Sequence, residues 1–329
     1  MGRLENGVWI DQWYNTKETK GRYVRKASTY RNWITVDGEA GLTGKSGYKA
    51  EKDRYHLYIS WACPWAHRAL IYRSIKGLQD MISISSVNAI MRSKGWTFDE
   101  GYRVTPDTVN NSDYLYEVYL KEDKNYSGRV TVPLLWDKKT STIVNNESAD
   151  IIRMFNSEFD HLGAKEGNYR PTEKQDDIEK MNTFIYENIN NGVYRSGFST
   201  TQEAYDEAIE TLFAGLDKLD NLLSRQRYLI GNEITESDWR FIPTLLRFDS
   251  VYHGHFKCNK KKLREYDNLF HYTKDLFQYP GVSETYDDTY SKLHYYGSHE
   301  TINPTGIVSH GPKFEFDEPH NRGKLNARD

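Results

Sequence analysis

Tyr55-His-Leu-Tyr-Ile-Ser-Trp-Ala-Cys-Pro-Trp-Ala-His-Arg68 joins an apolar run, residues 55–60, to a segment that opens on Pro64. Residues 55–60 read as a buried strand and residues 64–76 as a helix. Pro64 suits the first helical position, where its missing N–H would have had no partner anyway. Cys63 falls at the junction, where the first backbone N–H groups of the helix have no intrahelical acceptor. Those donors and the positive end of the helix dipole favour an anion, and so thiolate over thiol. A cysteine so placed is predicted to be a nucleophile. The competing reading is a buried, inert core cysteine. The proline after it and the strand-to-helix junction argue against that.

Working outward, residues 81–87 form a second β-branched run. After a polar insertion at 94–124 come two short strands, in Arg129-Val-Thr-Val-Pro-Leu-Leu-Trp136 and Ser141-Thr-Ile-Val144, split by a Lys138-Lys139 turn. Asn145-Asn-Glu-Ser-Ala-Asp-Ile-Ile-Arg-Met-Phe155 reads as a helix with Asn146 as N-cap and Ile151, Ile152 and Phe155 as its apolar stripe. The order βαβ…ββα over residues 53–165 predicts a thioredoxin-like α/β domain.

Residues 167–172 read as a linker punctuated by Pro171, and from 172 the chain turns helical. Ala204, Ala208, Ile209, Leu212, Phe213, Leu216, Leu219, Leu222 and Leu223 keep a 3.6-residue period over about five turns. Thr235-Glu-Ser-Asp238 resembles a capping box opening a helix at 239–252. Helices at 266–278 and 282–292 follow, with Pro280-Gly281 between them. The prediction is an all-α domain over 172–296 with at least four helices, then a polar, extended coil over 297–329. Residues 1–52 read as an irregular N-terminal extension, pinned down by Trp9, Trp13, Trp33 and Ile34. Gly41-Leu-Thr-Gly-Lys-Ser46 hints at a phosphate loop, but Glu39 stands where that motif needs glycine.

Composition excludes several classes. A net charge of -3 provides no field for nucleic acid. The basic run Lys257, Lys260, Lys261, Lys262 and Arg264 therefore reads as a solvated face. No run approaches the roughly 20 apolar residues that span a bilayer, and the polar N-terminus lacks a signal-peptide core. The two cysteines, Cys63 and Cys258, make no disulfide framework and suit a reducing cytoplasm. Their spacing supplies no metal site.

An α/β domain followed by an all-α domain is the layout of cytosolic glutathione transferases. In Val132-Pro133 a proline opens a strand; this fold commonly has a cis bond there, and the backbone before it pairs with a peptide ligand. Glu147-Ser148 lies at a helix start, where backbone N–H groups receive a carboxylate. Their side chains add a carboxylate for an amine and a hydroxyl for an acid. Both suit the γ-glutamyl end of glutathione.

The segments Ala62-Cys-Pro-Trp-Ala-His-Arg68, Gly95-Trp-Thr-Phe98, Arg129-Val-Thr-Val-Pro133, Asn145-Asn-Glu-Ser-Ala149, Asn191-Gly-Val-Tyr194 and Ile302-Asn-Pro-Thr-Gly306 resemble the glutathionyl-hydroquinone reductases. These are the xi-class glutathione transferases, related to the omega class. The resemblance runs from Gly7 to His320. It implies that Cys63 is the catalytic cysteine and that Trp96, Arg129, Val132, Glu147 and Ser148 contact glutathione. It implies that Tyr194, Tyr252 and Tyr295 line a quinol pocket of the helical domain, with Tyr194 and Tyr295 serving the chemistry. The third position falls on Tyr295 or its neighbour Tyr296. Glutathione as co-substrate, glutathionyl-hydroquinones as substrates and a homodimer are further implications.

The expected reaction is reduction of glutathionyl-hydroquinones through a Cys63–glutathione mixed disulfide, releasing glutathione disulfide. One alternative is an omega-like thioltransferase or dehydroascorbate reductase using the same cysteine. Another is a non-catalytic binding module on a transferase fold. His67 lies within helical reach of Cys63, but packing is the stronger reading for it, because the helix terminus already activates the thiol. Cys258 lacks the junction setting and reads as structural.

Overall fold

The computed structural model describes residues 2–325, and its contacts divide them into two units. The first comprises residues 2–13, Lys26–Gly167 and Thr285–Ser298. The second comprises Tyr14–Arg25, Asn168–Glu284 and residues 299–325. The N-terminal extension is thus shared between them, and the segment 285–298 groups with the α/β unit. The end of the C-terminal coil expected from sequence, residues 326–329, lies outside the described residues.

The first unit opens with a hairpin of β1 (Arg3–Glu5) and β2 (Val8–Ile10), unforeseen in the sequence reading. Its turn is Asn6-Gly7 with φ of 48° and 79°. Positive φ at both positions is what a two-residue hairpin turn demands, and Asn-Gly is the pair that accepts it. The central strand β3 (Tyr55–Ile59) is buried at every position. Helix α1 (Pro64–Ile75) follows, then β4 (Ile82–Ser86). The polar insertion holds a short helix that patterning missed, α2 (Leu115–Glu122), before β5 (Gly128–Arg129), β6 (Leu134–Asp137) and β7 (Thr142–Asn145).

The strands pair in the order β4-β3-β6-β7. β3 runs parallel to β4 and antiparallel to β6, and β6 runs antiparallel to β7. The expected strand 129–136 is split. Its first residue, Arg129, ends β5 and joins the hairpin in a second sheet ordered β2-β1-β5. Pro133 stands between the two pieces, where it removes a ladder donor.

Helix α3 (Ser148–Ser157) packs on α1. It begins later than expected, because Glu147 rather than Asn146 is its N-cap. Asn145 still belongs to β7. The Asn146 side chain instead accepts the Tyr30 N–H at 3.1 Å. Helix α9 (Asp288–Ser298) completes this unit. Its Tyr290 hydroxyl donates to the Val87 carbonyl, and the Met91 N–H donates to Ser298 Oγ at 2.9 Å. Sequence placed this helix at 282–292, several residues too early.

The second unit carries α4 (Gln175–Ile185), α5 (Gly192–Gly197), α6 (Gln202–Leu223), α7 (Glu236–Leu246) and α8 (Asp267–Phe277). Two π-helical turns, Tyr186–Asn190 and Phe248–Tyr252, precede α5 and follow α7. The capping box read at Thr235–Asp238 is present. The buried Asp238 carboxylate accepts Leu229 N–H at 2.9 Å, Thr235 N–H at 2.8 Å, Thr235 Oγ1 at 2.9 Å and Tyr272 Oη at 2.7 Å.

The tail is irregular, as its composition predicts, yet fastened. Phe314 and Phe316 pack on Phe277 with centroids 5.2 and 6.1 Å away. The buried Arg322 donates to the Gln226 and Arg227 carbonyls at 2.6 and 2.9 Å. The first unit is a thioredoxin-like α/β domain and the second is helical. Among the described residues, no helix is long and apolar enough to cross a membrane.

Candidate active site

Cys63 is the N-cap of α1, in the extended conformation that caps require (φ -76°, ψ 117°). Its carbonyl accepts the His67 N–H at 2.9 Å, the first bond of the helix. Its Sγ accepts the Ala66 N–H at 3.4 Å, so the sulfur occupies the acceptor place that serine or aspartate usually fills. Pro64 follows as foreseen. The sulfur is half-buried and lies 3.4 Å from the Val132 carbonyl oxygen, so that a thiol at Cys63 donates to it. The Val132-Pro133 bond is cis. The segment expected to pair with a peptide ligand therefore stands directly beside the thiol.

Glu147 and Ser148 start α3. The Glu147 carboxylate caps Ala149 N–H at 3.1 Å and accepts the Ser28 hydroxyl at 2.9 Å. Ser148 is buried, and its Oγ lies 3.4 Å from both Glu147 Oε1 and Arg68 Nη1. The Arg68 guanidinium, itself buried, rests over the Trp65 ring at 4.5 Å. A helix N-terminus with a cation behind it is an electropositive place suited to a carboxylate.

Arg129 ends β5, and its guanidinium donates to the Gly2 and Gln12 carbonyls at 3.2 and 2.9 Å, tying down the extension. Trp96 is buried, and its indole stacks on the His294 imidazole of α9 at 4.8 Å. The neighbouring Tyr295 is 2 % exposed, whereas Tyr296 is half-buried.

Tyr194 and Tyr252 belong to the second unit, each at a π-helical turn: Tyr252 ends one and Tyr194 follows the other within α5. Their rings lie 6.1 Å apart, and both pack on Phe256. Tyr23 of the extension reaches Tyr194 at 6.3 Å. Wide turns of this kind shift side-chain direction within a helix and recur at functional sites.

His67 is wholly buried, pairing with Thr285 Oγ1 at 2.8 Å and stacking on Tyr286 at 5.7 Å. It is a packing residue, as read. Cys258 is also fully buried, and burial pushes its thiol far above the ordinary range.

Sequence reading missed Tyr119. From α2 its hydroxyl donates to the Thr131 carbonyl at 3.0 Å and accepts the Thr131 N–H at 3.2 Å and the Asn146 amide at 3.3 Å. It therefore braces the residues just before Val132 and just before Glu147. The spacing of Leu115, Val118 and Tyr119, with Glu117 as the capping-box partner, carried the signal.

Comparison with known proteins places this arrangement. Residues 62–158 match the glutathione S-transferase N-terminal domain and residues 202–275 the C-terminal domain. The glutathionyl-hydroquinone reductase YqjG of Escherichia coli is 54% identical over 98% of each chain. Its glutathione-bound structure superposes with a TM-score of 0.90, covering 97% of this chain and 99% of that one. The glutathionyl-hydroquinone reductase PcpF of Sphingobium chlorophenolicum is 51% identical over 95% of this chain and 96% of its own. A xi-class transferase from Natrialba magadii superposes with a TM-score of 0.90 at 43% identity, covering 99% of this chain and 97% of its own. The chain belongs to the glutathionyl-hydroquinone reductases, the xi class of the glutathione transferases.

Proposed function

We propose that the protein reduces glutathionyl-hydroquinones to hydroquinones with glutathione as co-substrate. The observation that carries the reading is the position of the Cys63 sulfur. It caps α1 through Ala66 N–H and stands beside the Val132 carbonyl, ahead of Pro133.

In the first step the Cys63 thiolate attacks the sulfur of the conjugate. The Cys63–glutathione disulfide forms as the aryl carbon–sulfur bond breaks, and the ring carbon takes a proton. The hydroquinone leaves reduced by two electrons, which the two sulfurs supply. In the second step a glutathione thiolate attacks the mixed disulfide, releasing glutathione disulfide and Cys63. The resolving thiol comes from solution, so one cysteine suffices and no metal is needed.

An aryl carbon is a poor leaving group, so a proton donor at the ring is required. Tyr194 and Tyr295, the latter with Tyr296 as alternative, are assigned that role, and Tyr252 binds the ring. Trp96, Arg129, Val132, Glu147 and Ser148 are assigned to glutathione. Val132 pairs through its backbone, Glu147 with the amine and Ser148 with the α-carboxylate. Family membership supports these roles, together with a homodimer and a cytoplasmic place of work.

Replacing Cys63 by serine tests the proposal. Turnover of glutathionyl-hydroquinone should fall by about a thousandfold or more. A variant retaining a tenth of the rate would sink the mechanism. Rates of the native protein on hydroxyethyl disulfide and dehydroascorbate should be lower than on the conjugate; the reverse order would identify a general thioltransferase.

A further inference from the structure

We propose that Ser28 is a positioning residue for glutathione, acting through Glu147, so that the N-terminal extension takes part in holding the co-substrate. This rests on the reading that Glu147 receives the glutathione amine.

Glu147 has three rotatable side-chain bonds, and a carboxylate free to rotate loses conformational freedom when it grips an ammonium. Here both oxygens are already engaged. Oε1 accepts Ala149 N–H at 3.1 Å, and Oε2 accepts the Ser28 hydroxyl at 2.9 Å. A carboxylate oxygen has two lone pairs, so Oε2 can accept Ser28 and an ammonium together. Fixed contacts on both oxygens set the direction of the carboxylate before the ligand arrives.

The Ser28 segment is itself held at several points. Tyr30 N–H donates to Asn146 Oδ1 at 3.1 Å, and Asn146 N–H donates back to the Tyr30 carbonyl at 3.1 Å. Asn32 N–H donates to the Val144 carbonyl at 3.0 Å, and Asn145 Nδ2 donates to the Asn32 carbonyl at 2.9 Å. Arg31 grips Asp150 of α3 with both ends of its guanidinium fork, one contact being 2.9 Å. Residues 28–32 therefore run beside the end of β7 and the start of α3. They cover an open sheet edge and deliver one hydroxyl to the capping carboxylate.

The test compares Ser28→Ala, Ser28→Thr, Glu147→Gln and the double variant S28A/E147Q with the native protein. It uses calorimetric binding of glutathione, and KM and kcat with glutathione varied. Ser28→Ala should weaken glutathione binding and raise its KM by about fivefold, with kcat moving by less than about twofold. Ser28→Thr, which keeps the hydroxyl, should restore both values. In the Glu147→Gln background the Ser28→Ala change should add little. Native affinity in Ser28→Ala, with weakened binding in Glu147→Gln, would overturn the proposal while leaving Glu147 as a glutathione residue. Full additivity in the double variant would also overturn it. Native affinity in Glu147→Gln would remove the premise itself.

Discussion

The Tyr119 hydroxyl donates to the Thr131 carbonyl at 3.0 Å and accepts the Thr131 N–H at 3.2 Å, so one side chain satisfies both backbone groups of one loop residue. It also accepts the Asn146 amide, from a different loop. Tyr119→Phe keeps the ring and removes this shared partner from a buried place. The expected cost is about 1–3 kcal/mol of stability, together with a raised glutathione KM, because Val132 and Glu147 both lose a brace. Urea denaturation and steady-state kinetics check the two effects separately. Native values for both would show that the loops hold themselves.

Cys258 is fully buried and its thiol is held protonated by that burial. Brief treatment of native protein with iodoacetamide, or with glutathione disulfide, should modify one cysteine, Cys63. Treatment in denaturant should alkylate both. Peptide mapping distinguishes them, and glutathione found on Cys258 of native protein would refute the assignment of the nucleophile.

His56 is the second residue of β3, with its ring nitrogens 2.7 Å from Ser83 Oγ and 3.0 Å from Ser85 Oγ. Burial pushes its pKa down from 6.5 to about 4, Lys138 and Arg73 push the same way, and Asp107 opposes them. The unfolded chain therefore binds the proton more readily than the folded one. Stability associated with neutral His56 is fully present above pH 6.5 and is lost as pH falls to about 4, by roughly 3 kcal/mol. Urea midpoints measured across that interval should drop less steeply for His56→Gln than for the native protein. Parallel profiles would place the acid sensitivity elsewhere.

A Cβ at Gly197 would lie 2.2 Å from Phe256 Cγ, far inside contact distance. Phe256 supports both Tyr194 and Tyr252. Gly197→Ala should therefore destabilise the protein by about 1–3 kcal/mol through overpacking. It should also raise the KM for the conjugate more than that for glutathione. Pairing it with Phe256→Leu should recover part of the stability, and thermal unfolding reads that recovery.

Much of the fold was legible because its signals are local. Residues 55–76 announce a strand, a cysteine at a helix start and a proline in the first turn, each set by neighbours in the chain. The apolar period of α6 and the box at Thr235–Asp238 are local in the same way, and both stand where they were read. Errors cluster where local rules compete. Asn146 is the residue type that favours an N-cap, yet Asn145 remained in β7, the Asn146 side chain went to the Tyr30 N–H, and the helix began after Glu147. The Asn6-Gly7 turn and the short α2 were present in the sequence but hidden in polar surroundings.

The sequence by itself determined the chemistry on offer: one cysteine at a helix terminus, the Val132-Pro133 step and the Glu147-Ser148 pair. Their residue types and spacing follow from covalent order alone. Only tertiary structure decided who supports them. Ser28 meets Glu147 across 119 positions of sequence, and Trp96 meets His294. Such pairs depend on which surfaces pack once strands have found their order, and no local period encodes that choice. The same packing buried Cys258 completely and left Cys63 half-exposed, although both are cysteines in a single chain.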